Sequence, residues 1–371
     1  MKIQVLQENL AKAISTCSRF ASSRVQLPVL ANILLKITKS KFSVAATNLE
    51  MSISISIGAK IEKEGQITVP ARVLNDLISN LSAGTVDLEV EKENLKIKSL
   101  SFESSLSGMN ASDFPLIPEE VGVDVLKIPS KEILDALICT LFAVSSDETR
   151  PVLTGVLMIV KDSNLTMVAT DGFRLSQKKI SIGKVKEEKK IILPKSSLVE
   201  LSRLTSDEDI QFSFKKSEKQ VVFGLTDIVL GSRIIEGEFP DFERIIPKET
   251  KIKVNLDREE FLRGVKLASV FARDAANVVK LAVVKDSVVV SAEGTQGSQK
   301  TKVEAKIDEN GKTDSEEFVI AFNYRFLEEF LNAIKGDEVQ IEFSDPNAPA
   351  LFLDPKDTNF LHIIMPVRLQ A

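Results

Sequence analysis

The segment VATDGFRL, residues 168 to 175, places four residue types that occur in active sites within five positions. Asp171 and Arg174 could serve as the catalytic groups of an enzyme that acts on nucleotides, and Gly172 would permit a sharp turn between them. A related segment, AATNLEMS at residues 45 to 52, lacks the glycine and the arginine. Whatever the segment does, only one of the two copies can do it.

The rest of the chain offers little of the chemistry that an enzyme needs. His362 is the only histidine, which removes most acid–base chemistry, and the sequence contains no phosphate-binding GxxxxGKS/T motif. Cys17 and Cys139 lie within apolar-periodic segments, which predicts two reduced, buried thiols rather than a disulfide or a metal site. We therefore expect no catalytic residue, no metal and no cofactor.

The composition is that of a soluble globular protein of two or three domains. Its 371 residues are 43% hydrophobic and 27% charged. Charges and amides interrupt the apolar positions at the N-terminus, and no run approaches the roughly 20 apolar residues of a membrane span. We expect a cytoplasmic protein without a membrane segment. The net charge of −5 argues by itself against nucleic acid as a partner.

Internal repeats are the strongest pattern in the sequence. Residues 27 to 48 align without a gap on residues 150 to 171, at a constant offset. A second block occurs three times and begins at Val69, Leu193 and Phe322. In each copy the apolar residues first follow a helical spacing and then alternate strictly, which predicts an amphipathic helix followed by a half-buried strand.

Each repeat therefore predicts two helices and about eight strands, in the order β-α-β-β-β twice. The period is that of a domain, because solenoid repeats are only about 20 to 45 residues long. We place the domains at residues 1–121, 122–249 and 250–371, and predict an α+β fold with two helices packed on antiparallel sheets in each. The helices are expected over residues 8–24, 70–80, 130–145, 194–204, 257–273 and 323–335.

These three tandem domains, together with four short motifs, resemble the bacterial DNA polymerase III β subunit, the replication sliding clamp. The motifs are VATDGFRL, FPDFERIIP at 239 to 247, FN at 322 and MPVRL at 365 to 369, in the family's order along the whole chain. The resemblance implies a non-catalytic processivity factor of DNA replication. It implies three DNA-clamp domains per chain and a head-to-tail homodimeric ring that encircles double-stranded DNA. The implied partners are DNA, the polymerase III catalytic subunit, the clamp loader and other proteins with a clamp-binding motif.

The dimensions of such a ring agree with helix packing. Six predicted helices from each of two chains, packed about 9 Å apart, give a circumference near 110 Å and a diameter of roughly 35 Å. A B-form duplex about 20 Å across would pass through it, whereas one chain alone would close at about half that diameter. The predicted helices carry a small positive net charge, which would favour phosphate contacts; ordinary solvated helix faces would show the same bias.

The resemblance also implies a pocket on the second and third domains for a short peptide of partner proteins. Gly172 would permit a turn that presents Phe173 and Arg174, with arginines at the rim for an acidic group. Leu175, Ile245 and Val367 would be apolar walls of the pocket. The alternative is that Thr170 and Asp171 only end a strand with an Asx-type turn and that Leu175 is core; for Asp171 we expect both roles. Relatives often have histidine in place of Phe173, which leaves the peptide preference open. The implied pocket residues are Leu153, Thr170, Gly172, Phe173, Arg174, Leu175, Pro240, Arg244, Ile245, Asn323, Phe326, Pro349, Ile364, Met365, Pro366, Val367 and Arg368.

Two further residue sets follow from the resemblance. The implied DNA contacts are Arg24, Arg72, Arg150 and Lys195, each of which could also be an ordinary solvated charge. Ring closure would pair an edge strand of the first domain, residues 101 to 108, with one of the third domain, residues 297 to 307. The implied dimer-interface residues are Glu103, Leu106, Val270, Phe271, Lys300 and Lys302. From the charges of this chain we expect the two lysines to meet the glutamate, a polarity opposite to that of relatives with an acidic third-domain edge.

Two other interpretations stay open from the sequence alone. One is an enzyme that uses Asp171 and Arg174, although the repeats multiply the scaffold without repeating any polar constellation. The other is a triplicated β-rich protein that binds another protein and never contacts DNA. This second alternative would have the same repeats but form no ring. The order of the motifs, and not the composition, favours the clamp.

Overall fold

The fold is that of a computed structural model of the chain, which divides into two compact units. The first unit comprises residues 1–130 and 203–234, and the second unit comprises residues 131–202 and 235–371. The second predicted repeat is thus shared between them. The residues that the structure describes are 1–22, 27–100, 102–122, 124–185, 187–215, 218–309 and 318–368.

Six helices lie within the described residues, two in each predicted repeat, as the sequence pattern predicts. They are α1 (Gln7–Ser18), α2 (Ala71–Ser79), α3 (Ser130–Thr140), α4 (Lys195–Leu204), α5 (Arg258–Ala272) and α6 (Tyr324–Ala333). The prediction that the first helix continues to residue 24 is wrong, because α1 ends at Ser18. The Ser18 hydroxyl donates to the Ile14 carbonyl at 2.8 Å, a local bond that competes with helix continuation. Buried Phe20 then follows in a turn.

The strands are numbered in chain order. They are β1 (Lys2–Leu6), β2 (Asn32–Ile37), β3 (Phe42–Thr47), β4 (Met51–Ile57), β5 (Ala59–Lys63), β6 (Gly65–Pro70), β7 (Thr85–Glu91), β8 (Asn94–Ser99), β9 (Phe102–Ser107), β10 (Leu126–Ile128), β11 (Gly155–Lys161), β12 (Asn164–Thr170), β13 (Arg174–Ser181), β14 (Lys189–Pro194), β15 (Ile210–Lys215), β16 (Gln220–Leu225), β17 (Ile228–Arg233), β18 (Ile252–Asp257), β19 (Val278–Val284), β20 (Ser287–Gly294), β21 (Gly297–Glu309), β22 (Phe318–Asn323), β23 (Glu338–Phe343), β24 (Ala350–Leu353) and β25 (Phe360–Ile364).

The first unit contains two antiparallel sheets. Their strand orders are β5-β1-β7-β8-β9 and β10-β15-β16-β17-β4-β3-β2-β6. Helix α1 buries Leu10 and Ile14 against them, and α2 buries Leu74 and Ile78, so the apolar stripe of each helix faces the core. Strand β9 ends its sheet with only β8 beside it.

The second unit contains one antiparallel sheet of 12 strands, in the order β14-β11-β12-β13-β25-β24-β23-β18-β21-β20-β19-β22. Helix α5 packs on β20 and β21 and buries Phe261 and Val265. Phenylalanine rings fill much of this core, among them Phe322, Phe330 and Phe352, which meet at 5.6 Å between ring centroids. Edge-on ring packing of this kind adds to the free energy gained from burial.

In each unit, one strand pair joins two of the predicted repeats. In the first unit β4 pairs with β17, so that Met51 lies opposite Ser232. In the second unit β13 pairs with β25, so that Arg174 lies opposite Ile364. This second pairing places the loop before β13 beside the segment that follows β25.

The described residues also bear on the membrane, metal and thiol predictions. None of the helices in these ranges is both long enough and apolar enough to cross a membrane. No group of three or more His, Cys, Asp or Glu side chains among them could hold a metal ion. Cys17 and Cys139 are buried free thiols, as predicted. Burial raises the pKa of the Cys139 thiol to about 12, so this thiol stays protonated at neutral pH.

Candidate peptide-binding surface

The loop between β12 and β13 is a tight turn built on Thr170 and Asp171. The Thr170 hydroxyl donates to the Arg174 carbonyl at 2.6 Å and accepts from the Gly172 amide at 3.1 Å. Asp171 Oδ1 accepts from the amides of Phe173 at 2.9 Å and Arg174 at 3.0 Å. The predicted Asx-type turn is confirmed, and these bonds commit the Asp171 carboxylate to holding the loop.

The side chains of Phe173 and Arg174, at the end of this turn, lie in different environments. The Phe173 side chain is 62% exposed, whereas Arg174 is 8% exposed. Arg174 Nε donates to Asp171 Oδ2 at 3.0 Å, Nη2 donates to the Phe142 carbonyl at 2.5 Å, and Nη1 pairs with Glu329. The prediction that Arg174 stands at the rim for an incoming acidic group is therefore wrong, because its donors already have partners inside the second unit.

The Arg174 guanidinium also lies between two aromatic rings. It sits 4.4 Å from the centroid of Phe326 and 5.5 Å from that of Phe142. Glu329 and Phe326 belong to α6, and Phe142 follows α3, so one side chain ties the loop to both helices. Stacking and forked hydrogen bonding together require the planar guanidinium of arginine.

The segment after β25 forms the other side of the surface. The Met365 amide donates to the Phe173 carbonyl at 2.8 Å, and the Val367 amide donates to the Ala321 carbonyl in β22 at 2.8 Å. The side chains of Met365 and Val367 are exposed, like that of Phe173. We call these three residues, Phe173, Met365 and Val367, the peptide surface. Its apolar side chains are exposed to water, and hydrogen bonds hold the backbone that carries them.

The remaining predicted pocket residues either support this surface or border it. Leu153, Leu175 and Ile364 are buried, so Leu175 is a core residue rather than an exposed wall of the pocket. Asn323 caps α6, with Oδ1 accepting from the Arg325 amide at 3.0 Å. The exposed or half-buried residues that remain are Pro240, Arg244, Ile245, Phe326, Pro349, Pro366 and Arg368.

Ile245 is a further exposed apolar side chain, and the core fixes its position. It ends a short 3-10 helix, Phe242–Ile245, whose Phe242 packs in the cluster that contains Leu175 and Ile363. Arg244 in the same turn is 84% exposed. Its Nε lies 2.6 Å from Asp241 Oδ2, a pair that water screens strongly. Arg244 and Arg368 are thus exposed, whereas Arg174 is buried.

His362 lies in the core below the peptide surface. Its Nδ1 is 2.7 Å from the Ser176 hydroxyl, and its ring stacks on Phe330 at 5.3 Å between centroids. Burial, and to a lesser degree the charge of Arg174, lowers the pKa of His362 well below its ordinary value. The histidine is therefore neutral and enclosed at physiological pH, where it cannot exchange protons with a bound molecule.

Comparison with known proteins shows to which family the chain belongs. Three family models match in succession: the DNA polymerase III beta subunit N-terminal domain over residues 1–118, its central domain over 127–241 and its C-terminal domain over 243–368. The chain belongs to the DNA polymerase III beta subunit family. The predicted three tandem clamp domains are thereby confirmed, and the protein is a non-catalytic processivity clamp of DNA replication.

Individual beta subunits are similar over their full length. The "Beta sliding clamp" of Staphylococcus aureus is 30% identical over 381 aligned positions, which cover 99% of both chains. The crystal structure of the DNA polymerase sliding clamp from Bacillus subtilis matches with a TM-score of 0.94 at 28% identity and full coverage of both chains. The DNA polymerase III subunit beta from Pseudomonas aeruginosa matches with a TM-score of 0.93 at 25% identity, again over both whole chains.

The four residues expected to contact DNA in a beta subunit lie in different parts of the structure. Arg72 and Lys195 are exposed in the first turns of α2 and α4. Arg24 lies outside the described residues. Arg150 lies against the turn before β13, where Nη2 donates to the Asp171 carbonyl at 3.3 Å and Nε pairs with Asp147 at 3.0 Å.

Sequence reasoning missed this position of Arg150. A Cβ atom on Gly172 would lie 3.2 Å from Arg150 Nη1, so the guanidinium covers the glycine closely. The two residues are 22 positions apart in the sequence, and no spacing rule connects them. Only the gapless alignment of residues 27–48 with 150–171 indicated that this loop and the turn belong to one folded block.

The residues expected at the dimer interface of a beta subunit lie on two strand edges and in the last turn of α5. In β9, Glu103 is exposed and Leu106 half-buried, and Glu103 already pairs with Lys98 of β8 at 3.0 Å. In β21, residues 297–304 pair with β20 and residues 305–309 pair with β18. Lys300 and Lys302 are exposed, as is Val270 of α5, and Phe271 is half-buried.

Proposed function

We propose that two copies of the chain form a head-to-tail ring that encircles double-stranded DNA and slides along it without sequence specificity. The ring tethers the replicative polymerase through the peptide surface. One observation carries the proposal: among the edge strands of the described residues, β9 in the first unit and residues 297–304 of β21 in the second each pair on one side only. A head-to-tail dimer joins one edge of each kind twice and leaves neither open to further growth.

The side chains on these edges support the pairing. Glu103 on β9 would meet Lys300 and Lys302 on β21, which places opposite charges across the new strand pair. Leu106 would pack against Phe271 and Val270 at the end of α5, so that the exposed Val270 becomes covered. The domain boundaries that we propose are 1–121, 122–249 and 250–371. The first boundary lies between the N-terminal and central family matches, whereas the C-terminal match begins at residue 243, seven residues before the second boundary.

Contacts with DNA in this proposal are to the phosphates alone. Arg72 and Lys195, at the starts of α2 and α4, would neutralise phosphates without reading bases, as sliding requires. Arg24 stays a proposed contact from the sequence. The position of Arg150 against the β13 loop supports its assignment to the peptide surface instead.

The peptide surface would bind short segments of the polymerase III catalytic subunit, the clamp loader and other proteins with a clamp-binding motif. Phe173, Met365 and Val367 offer apolar contact, and Met365 adapts its shape to different side chains. Arg244 and Arg368 would meet an acidic group of the peptide. We propose that the protein acts in the cytoplasm, where the replication machinery of a bacterium works.

The experiment that tests the ring uses nicked circular DNA, a compatible clamp loader and ATP. Protein that stays on the circle and leaves when the DNA is linearised must be threaded on it, because a protein that binds the backbone would stay on both forms. Equal retention on both forms would make the protein an ordinary DNA binder. With a loader proven active on another clamp, absence of retention on either form would favour a protein-binding scaffold that does not contact DNA.

A further inference from the structure

Strand β13 carries three polar residues on one buried face. Arg174, Ser176 and Lys178 alternate along the strand and therefore point the same way. All three are buried, and their partners across the strand pair with β25 are Ile364, His362 and Phe360. A buried strand face is normally apolar, so three successive polar residues need an explanation.

Lys178 is the centre of an ion network at the far end of this face. Its Nζ lies 2.8 Å from Asp135 Oδ2 in α3 and also pairs with Asp357, which precedes β25. Asp135 pairs in turn with Lys335, just after α6. Burial alone would lower the pKa of Lys178, but hydrogen bonds from Lys178 to Asp135 and Asp357 hold it above its ordinary value. The network is therefore charged at neutral pH and joins four separate elements.

The first unit shows that this strand pairing does not need a polar face. At the constant offset of the repeats, Met51, Ile53 and Ile55 of β4 take the places of the three polar residues, and all are buried and apolar. Strand β4 still pairs with β17 in the same register, and the Arg233 amide still donates to the Glu50 carbonyl at 2.8 Å. That bond corresponds to the one from Met365 to Phe173.

At the place of the ion network the first unit has an open cleft of about 570 Å³. The repeat alignments and the strand registers give the four equivalent residues, and all four line the cleft. They are Lys12 for Asp135, Ile55 for Lys178, Leu225 for Asp357 and Ser206 for Lys335. The same junction thus exists in two forms within one chain, and only the form below the peptide surface is closed by charges.

Within the network Lys178 and Asp135 are the most enclosed side chains, whereas Lys335 is largely exposed. Enclosed ion pairs contribute little to stability compared with apolar residues of similar volume, but in some proteins they select one geometry because each charge must keep its partner. We propose that Lys178, with Asp135, Asp357 and Lys335, is a positioning group for the peptide surface. This inference rests on the proposed function of that surface.

Strand β13 alone connects the ion network at Lys178 to the peptide surface at Phe173. Lys178 anchors β13 to α3 and to the turn before β25, Ser176 anchors it to His362, and Arg174 anchors it to α6. A strand held at three successive points resists shifting and twisting against β25. The Phe173 carbonyl therefore stays at 2.8 Å from the Met365 amide, and the apolar side chains on both sides of that bond stay in register.

The test transfers the first unit's own residues to the second unit. The full-length variant Asp135→Lys, Lys178→Ile, Lys335→Ser, Asp357→Leu replaces the ion network with a set of residues that this fold already accommodates. We measure the affinity for a fluorescein-labelled peptide of leucine, phenylalanine and aspartate, hydrogen exchange of the Met365 amide, and thermal unfolding. We expect about tenfold weaker peptide binding and about tenfold faster exchange, at a similar melting temperature. Lys178→Arg keeps the charge and should retain both properties.

Asp357→Asn serves as a second variant that keeps the shape of the side chain, in case the fourfold replacement does not fold. It should accelerate Met365 exchange about threefold. Exchange and affinity that match the wild type in both variants would overturn the proposal, as would Lys178→Arg behaving like the fourfold variant. If the wild-type protein does not bind the peptide at all, the proposed function of the surface fails, but the exchange of the free protein still decides whether the network positions Met365.

Discussion

The amide of Met365 donates a 2.8 Å hydrogen bond to the carbonyl of Phe173, and it joins two segments that are 192 positions apart in the sequence. Phe173 belongs to the part of the chain that matches the central domain of the beta subunit family, and Met365 to the part that matches the C-terminal domain. The peptide surface therefore exists only where these two domains pair through β13 and β25. Its geometry depends on that pairing as much as on its own side chains.

Truncation of the peptide surface should weaken partner binding without unfolding the protein. Phe173→Ala and Met365→Ala each remove an exposed apolar side chain that a peptide would cover. We expect each to cost about 1.5 to 2 kcal/mol of binding free energy, or roughly 10- to 30-fold in affinity. Fluorescence anisotropy with a labelled peptide of leucine, phenylalanine and aspartate measures this. Leu116→Ala is the control, because Leu116 is fully exposed in the first unit. Equal losses in all three variants would contradict the assignment.

Arg174 should matter for stability more than any exposed arginine. Arg174→Ala removes a buried guanidinium and leaves Asp171 without its cation, so we expect a loss of about 3 kcal/mol in the free energy of unfolding. Arg174→Lys should recover little of this, because an ammonium can neither form the forked bonds nor stack on Phe326. The measurement is urea unfolding followed by circular dichroism.

Arg244→Ala provides the matched control for Arg174. Arg244 also pairs with an aspartate three positions away, but it is exposed, so we expect a change below about 0.5 kcal/mol. If both alanine variants lost the same stability, the buried network around Arg174 would not be the cause.

His362 should make the stability of the protein depend on pH between 5 and 7. Burial lowers its pKa in the folded state, so below about pH 6.5 only the unfolded chain takes up the proton. The stabilisation is complete above pH 6.5 and is lost as the pH falls, by up to about 1.4 kcal/mol per pH unit.

Because His362 is the only histidine, a single variant isolates this effect. His362→Phe keeps a ring for stacking on Phe330 but cannot titrate. Its unfolding free energy, measured by urea titration at pH 7, 6 and 5, should show a flatter pH dependence than the wild type over this range. Parallel curves for the two proteins would mean that carboxylates alone set the acid sensitivity.

The sequence predicted the elements better than the contacts between them. The repeats, the six helices and the turn at Thr170 and Asp171 follow local rules, namely periodicity and side-chain bonds to nearby amides. The burial of Arg174 does not, because it depends on Glu329 of α6 and on Phe142 after α3, which approach only in the folded chain. For the same reason the sequence did not show that Arg150 lies against the turn at Gly172. A charge pattern shows that a residue is polar, but not which partner it meets.

Ring closure can be tested at Glu103. The glutamate pairs with Lys98 on its own sheet, and in the proposed dimer it also faces Lys300 and Lys302 of the other copy. Glu103→Lys would bring four cations together at each interface, so we expect dimer dissociation to become at least about tenfold easier at low salt. Sedimentation velocity at nanomolar protein measures the dissociation.

Glu62→Lys is the matched control for this experiment. Glu62 lies in β5 at the opposite edge of the same sheet and pairs with Lys2 at 3.2 Å, so the change in charge and in local pairing is the same. It should leave the dimer intact. In a Glu103→Lys background, Lys300→Glu with Lys302→Glu should restore association, because the charges are then exchanged across the interface. Dissociation that is unchanged by Glu103→Lys, or equally changed by Glu62→Lys, would mean that β9 does not form the interface.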